Sequence, residues 1–110
     1  LTDVTGVQTC ALPISYCSDT GYHEPVAALI RNCDLLYHEA TFMQDMLASA
    51  REKQHATAAD AATIAKLAGA KRLLLGHFSA RYEDLQPLLD EAKAIFSQTG
   101  LVEDDATYEV

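Results

Sequence analysis

The sequence predicts an α/β domain built on a largely parallel sheet. Short apolar runs alternate with stretches of helical period from Tyr16 onward, the order expected of βαβ units. Three of the runs end in ionisable residues, Asp19, His38-Glu39 and His77, at the ends where open α/β sheets hold ligands. The 110 residues, 49% of them hydrophobic, suffice for one small core and leave no room for a second.

Taken in order, residues 1–15 show no period of 2 or 3.6, and Gly6 and Pro13 interrupt any element that starts there. They are set aside as a poorly ordered or non-native leader, and the domain is expected over 16–110. Tyr16-Cys17-Ser18 reads as a short strand and Asp19-Thr20-Gly21 as a turn. Pro25 opens a helix running through Ile30, with Val26, Leu29, Ile30 and Cys33 as its buried stripe. His23 falls in the turn before it and is expected to face solvent. Leu35-Leu36-Tyr37 reads as a second buried strand ending in His38-Glu39. Thr41 and Gln44 have the spacing of a capping box, and Met43, Met46, Leu47 and Ala50 make the core stripe of the helix it would start.

The next helix is expected to take Thr57 as N-cap, bury Ala61, Ile64, Ala65 and Ala68, and stop at Gly69. Arg72 to Gly76 is a third buried strand, which delivers His77 and Arg81 at its C-terminal end. A helix from about Leu85 buries Leu85, Leu88, Leu89, Ala92, Ile95 and Phe96, with Pro87 tolerated in its first turn. Gly100 ends it, and Leu101-Val102 and Tyr108-Glu109-Val110 read as short edge strands around an acidic turn.

Charge and cysteine content narrow the function. With 8 Lys+Arg against 16 Asp+Glu the net charge is −8, so the chain has no broad attraction for nucleic acid or anionic lipid, and any phosphate recognition must be local. Cys10, Cys17 and Cys33 are odd in number and lack a C-x-x-C spacing, which argues against a disulfide framework and a thiolate zinc site and fits a reducing cytoplasm. No run approaches membrane-spanning length, and no signal-peptide pattern is read at the start. A carboxylate and imidazoles converging at one sheet edge are the donor set of a metal such as Zn²⁺, and an arginine nearby can fork onto a phosphate.

Four motifs stand in fixed order: Ser18-Asp19-Thr20, His38-Glu39-Ala40-Thr41, His55-Ala56-Thr57 and Gly76-His77-Phe78-Ser79-Ala80-Arg81-Tyr82. Their order and separations resemble the C-terminal part of the ribonuclease Z family, transfer-RNA 3′ processing endonucleases of the metallo-β-lactamase fold, from Tyr16 to Val110. The resemblance implies the C-terminal half of an αββα sandwich, in which two stacked sheets flanked by helices hold two Zn²⁺ at one edge. It makes Asp19 a bridging metal ligand and His77 a terminal one. His55 becomes linked to proton donation to the leaving oxygen, with Glu39 as its supporting partner, although Ala56 stands where the family has serine. Arg81, with Ser79, matches the part that holds a substrate phosphate. The implied partner is precursor transfer RNA, and the implied assembly is a cytoplasmic homodimer. The family's first zinc-binding motif has no equivalent in this chain, so the chain by itself is expected to be inactive. Two alternatives stand beside this reading: another hydrolase or phosphodiesterase of the same fold, and a non-catalytic α/β interaction module.

Overall fold

The computed structural model describes residues 14–17 and 21–102. Strands β1 (Ile14–Cys17), β2 (Leu35–Glu39), β3 (Arg72–Gly76) and β4 (Thr99–Leu101) form one sheet in the order β1-β2-β3-β4. Every pairing is parallel, with Tyr16 beside Tyr37, His38 beside Leu75 and Leu75 beside Leu101. Parallel neighbours in sequence order need crossovers of one hand, and those put a helix of each crossover on the same face. Helices α1 (Pro25–Leu29), α3 (Ala58–Ala68) and α4 (Gln86–Lys93) accordingly share one core with Leu36, Leu73 and Leu75. The α3 side is nearly all alanine, with Ala58, Ala61, Ala62, Ile64, Ala65 and Ala68 buried, so the helix lies close to the sheet. Cys17 and Cys33 are free and buried in this layer, where burial and the nearby Cys33 push the Cys17 thiol up to about 11.

The other face is different. Ile14 and Tyr16 are exposed, and the Tyr16 and Tyr37 rings stack with centroids 4.4 Å apart. Even so, Ile14 stays 46% exposed and Tyr16 69%. At Gly76 the Tyr37 ring lies over the backbone, and a methyl group there would force that ring to shift.

Local signals of helix α3 appear as expected. The Thr57 hydroxyl accepts from the Asp60 N–H and the Asp60 carboxylate accepts from the Thr57 N–H, a full capping box, and Gly69 closes the helix in the left-handed region at φ 68°. Several expectations need correction. Strand β1 takes in Ile14 and Ser15, which pair with Leu35 and Leu36, so the ladder starts two residues earlier than the period suggests. Thr41 caps no helix. Its hydroxyl is drawn to a buried carboxylate, and the chain instead makes a 3-10 turn, Gln44–Met46, before α2 (Leu47–Lys53), neither with a side-chain cap. Of the proposed stripe only Ala50 is fully buried. Helix α4 ends at Lys93, leaving Ile95 37% exposed, and Gly100 lies inside β4. His23 is exposed, as expected. Ser18, Asp19, Thr20 and Tyr108 to Val110 lie outside the described residues.

Candidate metal centre

Beyond the carboxyl ends of β2 and β3 the two chains continue side by side, with the Ala40 N–H donating to the Gly76 carbonyl (2.8 Å) and the Ser79 N–H to the Thr41 carbonyl (3.0 Å). The segment before α3 joins them. The Thr41 N–H donates to the Ala56 carbonyl (3.0 Å), the Ala58 N–H to the Phe42 carbonyl (2.9 Å), and Phe42 bridges Thr57. Three stretches far apart in sequence thus place Glu39, His55 and His77 together, with one donor atom from each within 4.8 Å of the others.

Glu39 is the hub. Its carboxylate is fully buried and lies 3.2 Å from His55 Nδ1 through both oxygens. The Thr41 hydroxyl donates to Glu39 Oε2 at 2.5 Å, and His77 Nδ1 lies 3.9 Å from the same oxygen. A buried carboxylate is stable only when its lone pairs are met, and here hydroxyl and imidazole donors meet them. The His55 and His77 rings lie 5.4 Å apart and both turn Nδ1 toward Glu39. Their Nε2 atoms are left on the side away from it, with the His77 side chain 44% exposed and that of His55 22%. His77 adopts φ 58°, a left-handed conformation uncommon for a residue with a side chain and often found at functional sites.

His38 does not join this cluster. It alternates with Glu39 along β2 and sends its ring to the helix side, where Nδ1 donates to the Glu39 carbonyl (2.8 Å) and Nε2 has no hydrogen-bond partner among the described residues. Burial holds its pKa below the usual histidine value.

Ser79 and Arg81 flank the edge. The Arg81 N–H donates to Ser79 Oγ (3.3 Å), the guanidinium lies 5.6 Å from the centre of the Phe42 ring, and Nη1 approaches Met46 Sδ at 3.3 Å. Lys53 sits 5.8 Å from the same ring. Among the described residues neither Lys53 nor Arg81 pairs with a carboxylate, so two cations stand beside the site in an acidic chain. On the other flank Gly21, Tyr22, His23, Arg51, Gln54 and His55 line a shallow cleft. Sequence reasoning brought Glu39, His55 and His77 to one edge and missed Thr41 as part of the site. Its position two residues beyond Glu39 on an extended chain, hence on the same face, was the available signal.

A model of the beta-lactamase superfamily domain matches residues 7–78. The chain belongs to that superfamily. It is 54% identical over 85 residues to the ribonuclease Z of Porphyromonas gingivalis, a match that covers 77% of this chain and 28% of that protein. Among solved structures it resembles YhfI, a metallo-beta-lactamase fold protein from Bacillus subtilis, with a TM-score of 0.80 and 30% identity over 87% of this chain and 39% of that one. It also resembles the short form of human tRNase Z, with a TM-score of 0.64 and 35% identity over 83% of this chain and 30% of that one. The chain therefore spans under a third of the length of the ribonuclease Z it matches. One parallel sheet with helices on a single face and aromatic rings on the other is part of the metallo-β-lactamase fold rather than the whole of it.

Two imidazoles and a carboxylate suit Zn²⁺ chemically. Of the three, Glu39 is the poorest ligand: it is shut from solvent and its oxygens already accept from Thr41 and His55. The outward Nε2 of His77 is the better one.

Proposed function

We propose that this chain is the C-terminal part of a ribonuclease Z, a zinc-dependent endoribonuclease that removes 3′ extensions from precursor transfer RNA. The observation that carries the reading is the buried Glu39 held against His55 beside an outward His77, in a chain about half identical to a ribonuclease Z over most of its length.

In this reading Nε2 of His77 and the carboxylate of Asp19 hold the metal, and zinc, when bound, supplies Lewis acidity and an activated water. The chain's own groups do the rest. Glu39 accepts the His55 Nδ1–H and fixes the ring, and His55 Nε2 gives a proton to the leaving 3′ oxygen. Arg81 offers a planar fork to a substrate phosphate, with Ser79 beside it. Asp19 and His77 by themselves leave a four-coordinate zinc incomplete, so the 110 residues in isolation are inactive. With a net charge of −8 this chain has no broad attraction for RNA, so in this reading the RNA grip belongs to the rest of the full-length protein.

The test is cleavage by the full-length protein of a precursor transfer RNA bearing a 3′ extension. The expected product is transfer RNA ending in a 3′ hydroxyl, with activity lost on chelation. A second reading is another hydrolase or phosphodiesterase of the same fold acting on a small substrate, and the similarity to YhfI, which extends to the fold, is compatible with it. Turnover of small phosphodiesters together with inert precursor transfer RNA would select it.

A further inference from the structure

We infer that Thr41 is a positioning residue that fixes the proton of His77 on Nδ1 and so presents a bare Nε2 to the metal. The inference rests on His77 being the ligand in the reading above.

The Thr41 hydroxyl has one proton to give and lone pairs to receive with. Three groups lie within reach: Glu39 Oε2 at 2.5 Å, the His77 carbonyl at 3.0 Å and His77 Nδ1 at 3.0 Å. The first is both the closest and the charged acceptor, and charge-assisted bonds are the stronger ones, so it takes the proton. The hydroxyl oxygen can then only accept. A carbonyl has nothing to donate, which leaves His77 Nδ1 as the donor. A neutral imidazole carries a single ring proton, so Nε2 is a free lone pair directed away from Glu39.

The result is a chain of two hydrogen bonds, His77 Nδ1–H to Thr41 and Thr41 O–H to Glu39. His55 reaches the same carboxylate directly through its own Nδ1. One buried charge therefore sets the orientation of both rings, one by contact and one through Thr41. The backbone holds the relay in register, since the Ser79 N–H donates to the Thr41 carbonyl and the Ala40 N–H to the Gly76 carbonyl on either side of it. Outer partners of this kind fix the tautomer of a ligating histidine, and their removal commonly costs about 10–100-fold in metal affinity.

The test uses the full-length protein with ¹⁵N-labelled histidine, the His77 signal being assigned by its loss in His77→Gln. The expected spectrum shows the proton on Nδ1 of His77, before and after zinc loading. Thr41→Val removes the hydroxyl at nearly constant volume and should weaken zinc about 10–100-fold in competition with a chelator, with Thr41→Ser restoring most of it. A wild-type His77 protonated on Nε2 overturns the inference, and so does a Thr41→Val protein that holds zinc within about twofold of wild type. The wild-type spectrum decides even if Thr41→Val does not fold. A protein with the Nδ1 proton in place that takes up no zinc would count against the proposed function and leave the tautomer assignment standing.

Discussion

Glu39 and Arg81 stand at the same end of the sheet and are held in opposite ways. Glu39 is fully buried, with hydroxyl and imidazole donors closing on its carboxylate. Arg81 is exposed, resting on the Phe42 ring and the Met46 sulfur with no carboxylate against it among the described residues. The inner group is fixed by the Thr41 hydroxyl and the His55 ring and can tolerate little displacement, which suits proton handling. The outer group keeps its charge free for something that arrives, which suits attraction. Substitutions in the two layers should therefore fail in different ways.

The largest effect is expected at Glu39. Glu39→Gln removes the charge that steadies His55 and puts an N–H₂ where two donors converge, so turnover by the full-length protein should fall about 10²–10⁴-fold. A comparable loss in kcat from Arg81→Ala would erase the distinction between the layers. The second effect concerns the floor beneath the inner layer. Leu75 is fully buried immediately before Gly76 and His77, and Leu75→Ala should cost about 2–5 kcal/mol of stability in a urea titration. Leu67→Ala, on the 52% exposed surface of α3, should move it by no more than about 0.5 kcal/mol.

Arg81→Ala should raise KM roughly tenfold, the size of one exposed charge-assisted contact, with kcat and zinc content nearly unchanged. Arg81→Lys should recover part of that, since a point charge keeps the attraction and loses the fork. The smallest effect is the pH response of His38. Its folded pKa is lowered by burial, so the unfolded chain binds the proton first. Stability is then fully present above about pH 6.5 and falls as the pH drops below it, by at most about 1.4 kcal/mol per unit, levelling off below the folded pKa. His38→Phe should flatten that slope in denaturation curves taken between pH 7 and 5, whereas Arg81→Ala should leave it unaltered.

What the sequence made legible follows the range of each interaction. Helix α3 could be read from Thr57 to Gly69 because its cap, its stripe and its stop are all settled within a few residues. The same rule misplaced the start of α2, because the Thr41 hydroxyl answers to Glu39 and to His77, 36 residues away. Helix α4 was read too long, since Ile95 and Phe96 continue its period although the chain has already turned toward β4. In the site, strand ends pointed to Glu39 and His77, and the motif before α3 added His55. They could not show that His38, adjacent to Glu39, faces the helices, since only the register of a covered sheet decides which neighbour looks inward.

The central claim is that Glu39 organises the site without binding the metal. Anomalous diffraction at the zinc edge from crystals of the zinc-loaded full-length protein tests it most directly. The account predicts zinc on Nε2 of His77, with the Glu39 oxygens still on Thr41 and His55. A Glu39 oxygen at bonding distance from the zinc, about 2.0–2.2 Å, would contradict it.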